Sequence, residues 1–152
     1  MAFFRTLFLL AALGAPHLIA AQKQDKAAIK ATINQFFEGM AKGDSTLLLG
    51  ACTEAPVLQT ISVDKQGNVQ VHNEDFQEFV RFVTTPSKNM LDERIEFAAI
   101  HAEELLASVW TPYKFYLNGK LSHCGTNSFQ LVKTGPGWKI QYIIDTRRKT
   151  CK

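Results

Sequence analysis

His123 and Asn127 are polar residues four positions apart, set in a wall for which Trp110, Phe129 and Tyr142 supply the rings. An imidazole and a carboxamide set in such a wall can orient a planar or ring-shaped ligand by hydrogen bonds. The imidazole can also pass a proton near neutral pH, so His123 is the candidate acid/base if the chain is an enzyme. The same two groups can instead satisfy each other or nearby main chain. Asp145, Arg147 and Arg148 form a dense charged cluster near a strand end. Asp145 could serve as a general base if burial raised its pKa, but an adjacent arginine acts in the opposite direction. The simpler reading is an ion pair on an outer face or at a dimer interface, leaving Arg148 as a cation at a cavity mouth, suited to a carboxylate or phosphate.

Other chemistries find little support. Metal binding needs three or four converging ligands, and the histidines show neither HxH nor HxxxH spacing. Ser122 and Ser128 lie in no nucleophile-elbow context. Glu93, Glu96, Glu103 and Glu104 read as a solvated strand edge. No cofactor motif is expected. The formal net charge is +3, and the basic residues are scattered instead of interleaved with aromatics, so nucleic acid is not an expected partner.

The elements that carry these residues can be read from turns and periodicity. Asn118-Gly119 tolerates the positive φ angles of a type I′ hairpin turn, and Gly135-Pro136-Gly137 marks a second turn. Strands are expected over Glu104–Leu117, Leu121–Lys133 and Trp138–Arg147. With uninterrupted pairing, Trp110 lies near Asn127, Tyr116 near Leu121, Phe129 near Tyr142 and His123 near Arg148. That register puts Trp110, Tyr116, His123, Asn127, Phe129, Trp138 and Tyr142 on one side, which its rings mark as the concave one. Asp145 and Arg147 then face away. A one-residue bulge would move part of this set to the other face, and Pro112, which cannot donate to a ladder, makes a nearby irregularity an expectation.

Upstream, Ile29, Ile33, Phe36, Phe37 and Met40 form an apolar stripe on a helix from Lys26 to Ala41. Asp44 caps a short helix carrying Leu47, Leu48 and Cys52. Val57–Val63 and Val69–His72 read as a hairpin, and Asn73 as the cap of a third helix with Phe76, Phe79, Val80 and Val83 inward. Leu91–His101 reads as one long strand. Helices gathered on one face of an antiparallel sheet define an α+β domain, and strands of this length should curl into a cone.

The first 21 residues read as a signal peptide: Arg5, an apolar run from Phe8 to Leu13, the breakers Gly14 and Pro16, and small Ala20-Ala21 before Gln22. The mature domain is then 22–152, exported to the periplasm or the extracellular space and free of membrane after cleavage. Three cysteines remain, Cys52, Cys124 and Cys151, an odd number. Cys52 reads as a buried small hydrophobe. Cys151 can bridge to Cys52, to Cys124 or to another chain.

The order of elements, with Lys114-Phe115-Tyr116-Leu117-Asn118-Gly119-Lys120, His123-Cys124-Gly125 and Trp138-Lys139-Ile140 through Asp145-Thr146-Arg147-Arg148, resembles the nuclear transport factor 2-like superfamily. It is most similar to exported bacterial members described as lumazine-binding, relatives of the SnoaL-like and ketosteroid-isomerase-like groups. The resemblance implies the cone-shaped α+β fold of that superfamily, N-terminal helices packed on a curved antiparallel sheet around a cavity. Ketosteroid-isomerase-like catalysis would need an acid on the early strand, where this chain has Thr60 and Ser62. SnoaL-like chemistry would need a pocket aspartate beside His123. These departures weigh against an enzyme.

The expectation is thus a small-molecule-binding homodimer. Its ligand is pterin-like or another aromatic compound, contacted by Trp110, Tyr116, His123, Asn127 and Tyr142, with Arg148 at the mouth. The alternatives are an isomerase or dehydratase using His123, and a dimeric interaction module using the outer sheet face around Thr126, Val132 and Ile143.

Overall fold

The computed structural model describes residues 15–86 and 89–151, with side chains from residue 23 onward. In chain order the elements are α1 (Ala15–Lys42), α2 (Ser45–Ala51), β1 (Cys52–Val63), β2 (Val69–Glu74), α3 (Phe76–Thr84), β3 (Leu91–Ile95), β4 (Ala99–Glu103), β5 (Leu106–Leu117), β6 (Lys120–Thr134) and β7 (Gly137–Arg148). The expected signal peptide lies largely outside the described residues, and α1 continues upstream of residue 22 to Ala15. The strands form one sheet in the order β2-β1-β7-β6-β5-β3, with β4 also on β5. All pairs are antiparallel except β1 with β7, so the sheet is mixed.

The apolar stripe of α1 becomes the roof. Ile29, Ile33, Phe36 and Met40 are buried with Val109, Phe129, Leu131, Trp138 and Ile140 of the sheet. Phe37 meets Phe129 edge to face at 6.0 Å, and Phe36 stacks on Phe79 of α3 at 5.8 Å. Asp25 ties the start of this roof to the β6–β7 hairpin. Its Oδ1 accepts from Lys133 Nζ at 2.7 Å and from Trp138 Nε1 at 3.1 Å. These two donors hold its carboxyl below the usual carboxylate range.

Asp44 caps α2 as its sequence context predicts, accepting from the amides of Thr46 and Leu47. Asn118 and Gly119 both take positive φ, 54° and 75°, as a type I′ turn requires. Three local expectations need correction. Asp75, not Asn73, caps α3, because Asn73 and Glu74 remain paired with Gln59 and Leu58 of β1. Cys52 ends α2 and begins β1 instead of lying within the helix; burial pushes its thiol up to about 12, which leaves it inert. The strand expected over Leu91–His101 is divided, because Glu96, Phe97 and Ala98 stand opposite two residues of β5, Thr111 and Pro112. Pro112 has no N–H to donate at this bulge, but its carbonyl accepts from the Glu96 amide at 2.9 Å. Of the pairings left open for Cys151, the structure has the bond to Cys124, which folds the C-terminal tail onto the outer face, and Cys52 is free.

Two further bulges determine which residues face inward. Phe115 pairs with His123 but Tyr116 with Leu121, so Ser122 is an extra residue in β6. Gln130 pairs with Tyr142 but Leu131 with Ile140, so Gln141 is an extra residue in β7. Each insertion reverses the inward–outward alternation on one side of it and bends the strand.

Candidate functional site

With these bulges in place, the concave face is built in cross-strand rows. Glu93, Phe115 and His123 form one row; Tyr113, Gly125 and Arg147 the next; Thr111, Asn127, Asp145 and Thr60 a third; Val109, Phe129, Ile143 and Leu58 a fourth. Together with Phe36, Phe37 and Met40 of α1 and Phe79, Phe82 and Val83 of α3, the inward side chains enclose a cavity of about 350 Å³.

The structure brings two of the six expected site residues, His123 and Asn127, to this cavity. The other four lie on the convex side. Trp110 is 52% exposed. Tyr116 carries the Arg94 guanidinium over its ring at 4.2 Å. Tyr142 donates its hydroxyl to Gln59 Oε1 at 2.5 Å. Arg148 is exposed beside the disulfide. The physical reason is the phase change at Ser122 and Gln141: Asn127 pairs with Thr111 and Asp145, not with Trp110 and Ile144. The same change turns Asp145 and Arg147 into the cavity, where an outer-face position was expected, and brings Ile143 inward from the suggested interaction surface. Glu93, expected on a solvated edge, also lines the cavity. A signal for this was present in β5. Pro112 and Lys114 share their face with Trp110 and Tyr116, which marks that face as outer.

Asp145 is the most saturated group of the site. Its Oδ1 accepts from Thr60 Oγ1 at 2.6 Å; its Oδ2 accepts from Tyr113 Oη at 2.8 Å and from Arg147 Nε at 3.3 Å. Arg147 Nη2 also donates to Thr60 Oγ1 at 3.1 Å, closing a ring of three side chains to which Tyr113 is attached through Asp145. Tyr113 reaches Asp145 by lying flat across β6 over Gly125. A Cβ at Gly125 would fall 1.7 Å from the Thr146 carbonyl oxygen and 2.6 Å from the tyrosine ring. The Tyr113 hydroxyl proton is shared with that carbonyl, at 3.1 Å. Burial, followed by the charge of Asp145, raises the Tyr113 pKa, so the phenol stays protonated.

Glu93 has a different environment. Asn127 Nδ2 donates to its Oε1 at 2.8 Å, and its other oxygen has no hydrogen-bond partner among the described residues. Its carboxyl opens to the cavity but sits deep within the fold. That burial, reinforced by the Asp145 charge, pushes its pKa up to about 7 against the opposing Asn127 hydrogen bond and Arg147 charge. His123 packs edge to face on Tyr113 and tilts against Phe115 at 4.9 Å, with Nδ1 3.2 Å from Ser122 Oγ. Burial, followed by the Arg147 charge, lowers its pKa, so the ring is neutral at pH 7. The result is a ring-lined cavity whose polar end presents a carboxyl that changes protonation near neutrality and an imidazole whose surroundings favour its neutral form. Among the described residues no group of three or more His, Cys, Asp and Glu side chains could hold a metal ion.

No family model matches the chain, and no curated protein matches it. Solved structures do. An NTF2-like protein of unknown function from Shewanella baltica is 17% identical and superposes with a TM-score of 0.65 over 84% of this chain and 97% of its own. A protein of unknown function from Mycobacterium tuberculosis is 13% identical, with a TM-score of 0.71 over 89% and 78% of the two chains. An NTF2-like protein with a cystatin-like fold from Novosphingobium aromaticivorans is 10% identical, with a TM-score of 0.67 over 94% of both chains. The chain therefore has the NTF2-like α+β fold, helices packed on a curved, unclosed mixed sheet.

Proposed function

We propose that this chain is an exported small-molecule-binding protein whose cavity receives a flat, largely apolar ligand with one polar end. The observation that carries this reading is the cavity of about 350 Å³, lined by phenylalanines and ending in a Glu93 carboxyl with an oxygen left unpaired. Rings supply apolar surface, and a few placed polar groups fix orientation. His123 and Asn127 keep the orienting roles their types suggest. A panel of pterin-like and other aromatic compounds, followed by the shift in melting temperature and by calorimetry, tests the proposal. Binding that weakens at least about tenfold in Asn127→Ala is expected. No compound raising the melting temperature would remove the reading.

Export is supported by the Cys124–Cys151 disulfide, a bond of oxidising compartments. Cleavage after Ala21 would shorten α1 to the amphipathic part that roofs the cavity. We propose a homodimer joined through the outer sheet face, where Trp110, Leu121 and Val57 are about half exposed. Light scattering of the processed protein should return twice the chain mass.

A second reading, an isomerase or dehydratase with His123 as acid/base, is favoured by one observation. Glu93 and His123 face the same cavity in cross-strand register, with the Glu93 pKa raised to about 7 and that of His123 lowered from its ordinary value. It requires turnover that is lost in His123→Ala with the fold intact.

A further inference from the structure

The charges that line the cavity do not balance. Glu74, Glu93 and Asp145 contribute three carboxyl groups, and Arg147 is the permanent cation facing them. Arg147 is already paired with Asp145 at 3.3 Å. Among the described residues no lysine lines the cavity, and His123 is held neutral by its surroundings. α1 and α3 contribute apolar side chains, including Phe36, Phe37, Phe79 and Phe82. Asp92 and Arg94, the charged neighbours of Glu93 on β3, alternate to the opposite face. Three carboxyl groups thus share one guanidinium that is bonded to Asp145, and Glu93, with exposed Glu74 at the rim, faces the aromatic hollow with no ion-pair partner of its own among the described residues.

We infer that the cavity selects an organic cation, a flat ring system bearing a protonated or quaternary nitrogen, with the positive charge against Glu93 and the rings among Phe37, Phe79, Phe115 and Phe129. This deepens the small-molecule-binding reading and rests on it. Two physical terms act in the same direction. A buried carboxylate without a partner is costly, and a bound cation supplies the charge the fold withholds. Phenylalanine faces attract a desolvated cation through their quadrupole. An anion of the same shape meets Glu74 and Glu93 instead.

The pH dependence follows from Glu93. The free protein holds this group largely protonated below about 7 and ionised above it. A cation binds the ionised form, so affinity rises with pH. Tyr113 stays protonated over this range. The His123 pKa is lowered from its ordinary value, and any proton lost from that ring would act in the same direction, so the two groups are separated by substitution.

Three probes share one ring system and differ in charge: 1-naphthylmethylamine, 1-naphthylmethanol and 1-naphthoate. Calorimetric titration of the processed protein is expected to rank amine above alcohol above carboxylate at pH 8, with the amine at least about tenfold tighter than the alcohol. Amine affinity is expected to fall about tenfold between pH 8 and pH 6, because the ionised fraction of a group titrating near 7 falls by that factor. In Glu93→Gln, a near-isosteric change whose folding is checked by circular dichroism, the amine should lose both its advantage over the alcohol and its pH dependence. Amine and alcohol binding equally well would overturn the charge selection and leave the binding reading standing. A pH dependence that survives in Glu93→Gln would overturn the assignment to Glu93. Failure of these probes together with the whole aromatic panel would remove the binding reading itself.

Discussion

Two carboxyl groups share the cavity and have opposite roles. Asp145, on the β7 side, accepts from Thr60, Tyr113 and Arg147. Glu93, on the β3 side, accepts from Asn127 alone among the described residues. A carboxylate with three donors, one of them a guanidinium, is a fixed part of the scaffold: its oxygens are already committed to protein partners. A carboxyl with one donor and an open oxygen is a recognition element. Proximity to the cavity does not separate the two, since both line it. Hydrogen-bond saturation does.

The contrast can be broken most severely at Gly125. Gly125→Val would place a side chain where the Tyr113 ring and the Thr146 carbonyl already lie. It should cost about 3 kcal/mol or more and displace Tyr113 from Asp145, read by urea unfolding and by near-ultraviolet circular dichroism. Next in size is Asp145→Ala, which leaves the Tyr113 hydroxyl only its longer bond to the Thr146 carbonyl and Arg147 without its ion-pair partner. A loss of about 2–3 kcal/mol is expected. An unchanged unfolding midpoint would show that the network of Thr60, Tyr113, Asp145 and Arg147 is decorative.

The smallest effect sharpens the comparison, because it has the opposite sign. The Glu93 pKa is raised from 4.5 to about 7, so ionising it in the folded state is penalised. The unfolded chain then binds fewer protons than the folded one between those values, and wild-type stability falls as pH rises through that window. Glu93→Gln should remove this slope and be more stable than wild type at pH 8 by about 1–2 kcal/mol, relative to the difference at pH 4. Unfolding curves at the two pH values that stay parallel for both proteins would contradict it. One acidic side chain of this cavity thus stabilises the fold, and the other weakens it in exchange for an available charge.

The fold was legible because its determinants are local. The stripe Ile29, Ile33, Phe36 and Met40, the cap at Asp44 and the turn at Asn118-Gly119 are each decided within a few residues. The site was less legible because its determinants are single insertions. Whether Asp145 or Ile144 faces the cavity depends on Gln141 being an extra residue, and nothing at Gln141 announces it. Ser122 acts the same way for Trp110 and Tyr116. Pro112 and Lys114 marked the outer face of β5, and a register that respected them would have needed a bulge in β6. His123 and Asn127 were found because their strand also carries Phe129 and Leu131, whose burial sets the parity between the two bulges. Glu93 gave no such sign: in a short strand, Asp92-Glu93-Arg94 reads as polar on both faces.

The tie at Asp25 has a consequence for the processed chain. If the leader is removed after Ala21, the new amino terminus lies one helical turn before the residue that grips Lys133 and Trp138. Fraying from that end would halt almost at once, and the lid over the binding chamber would be as firmly seated at its trimmed edge as at its middle.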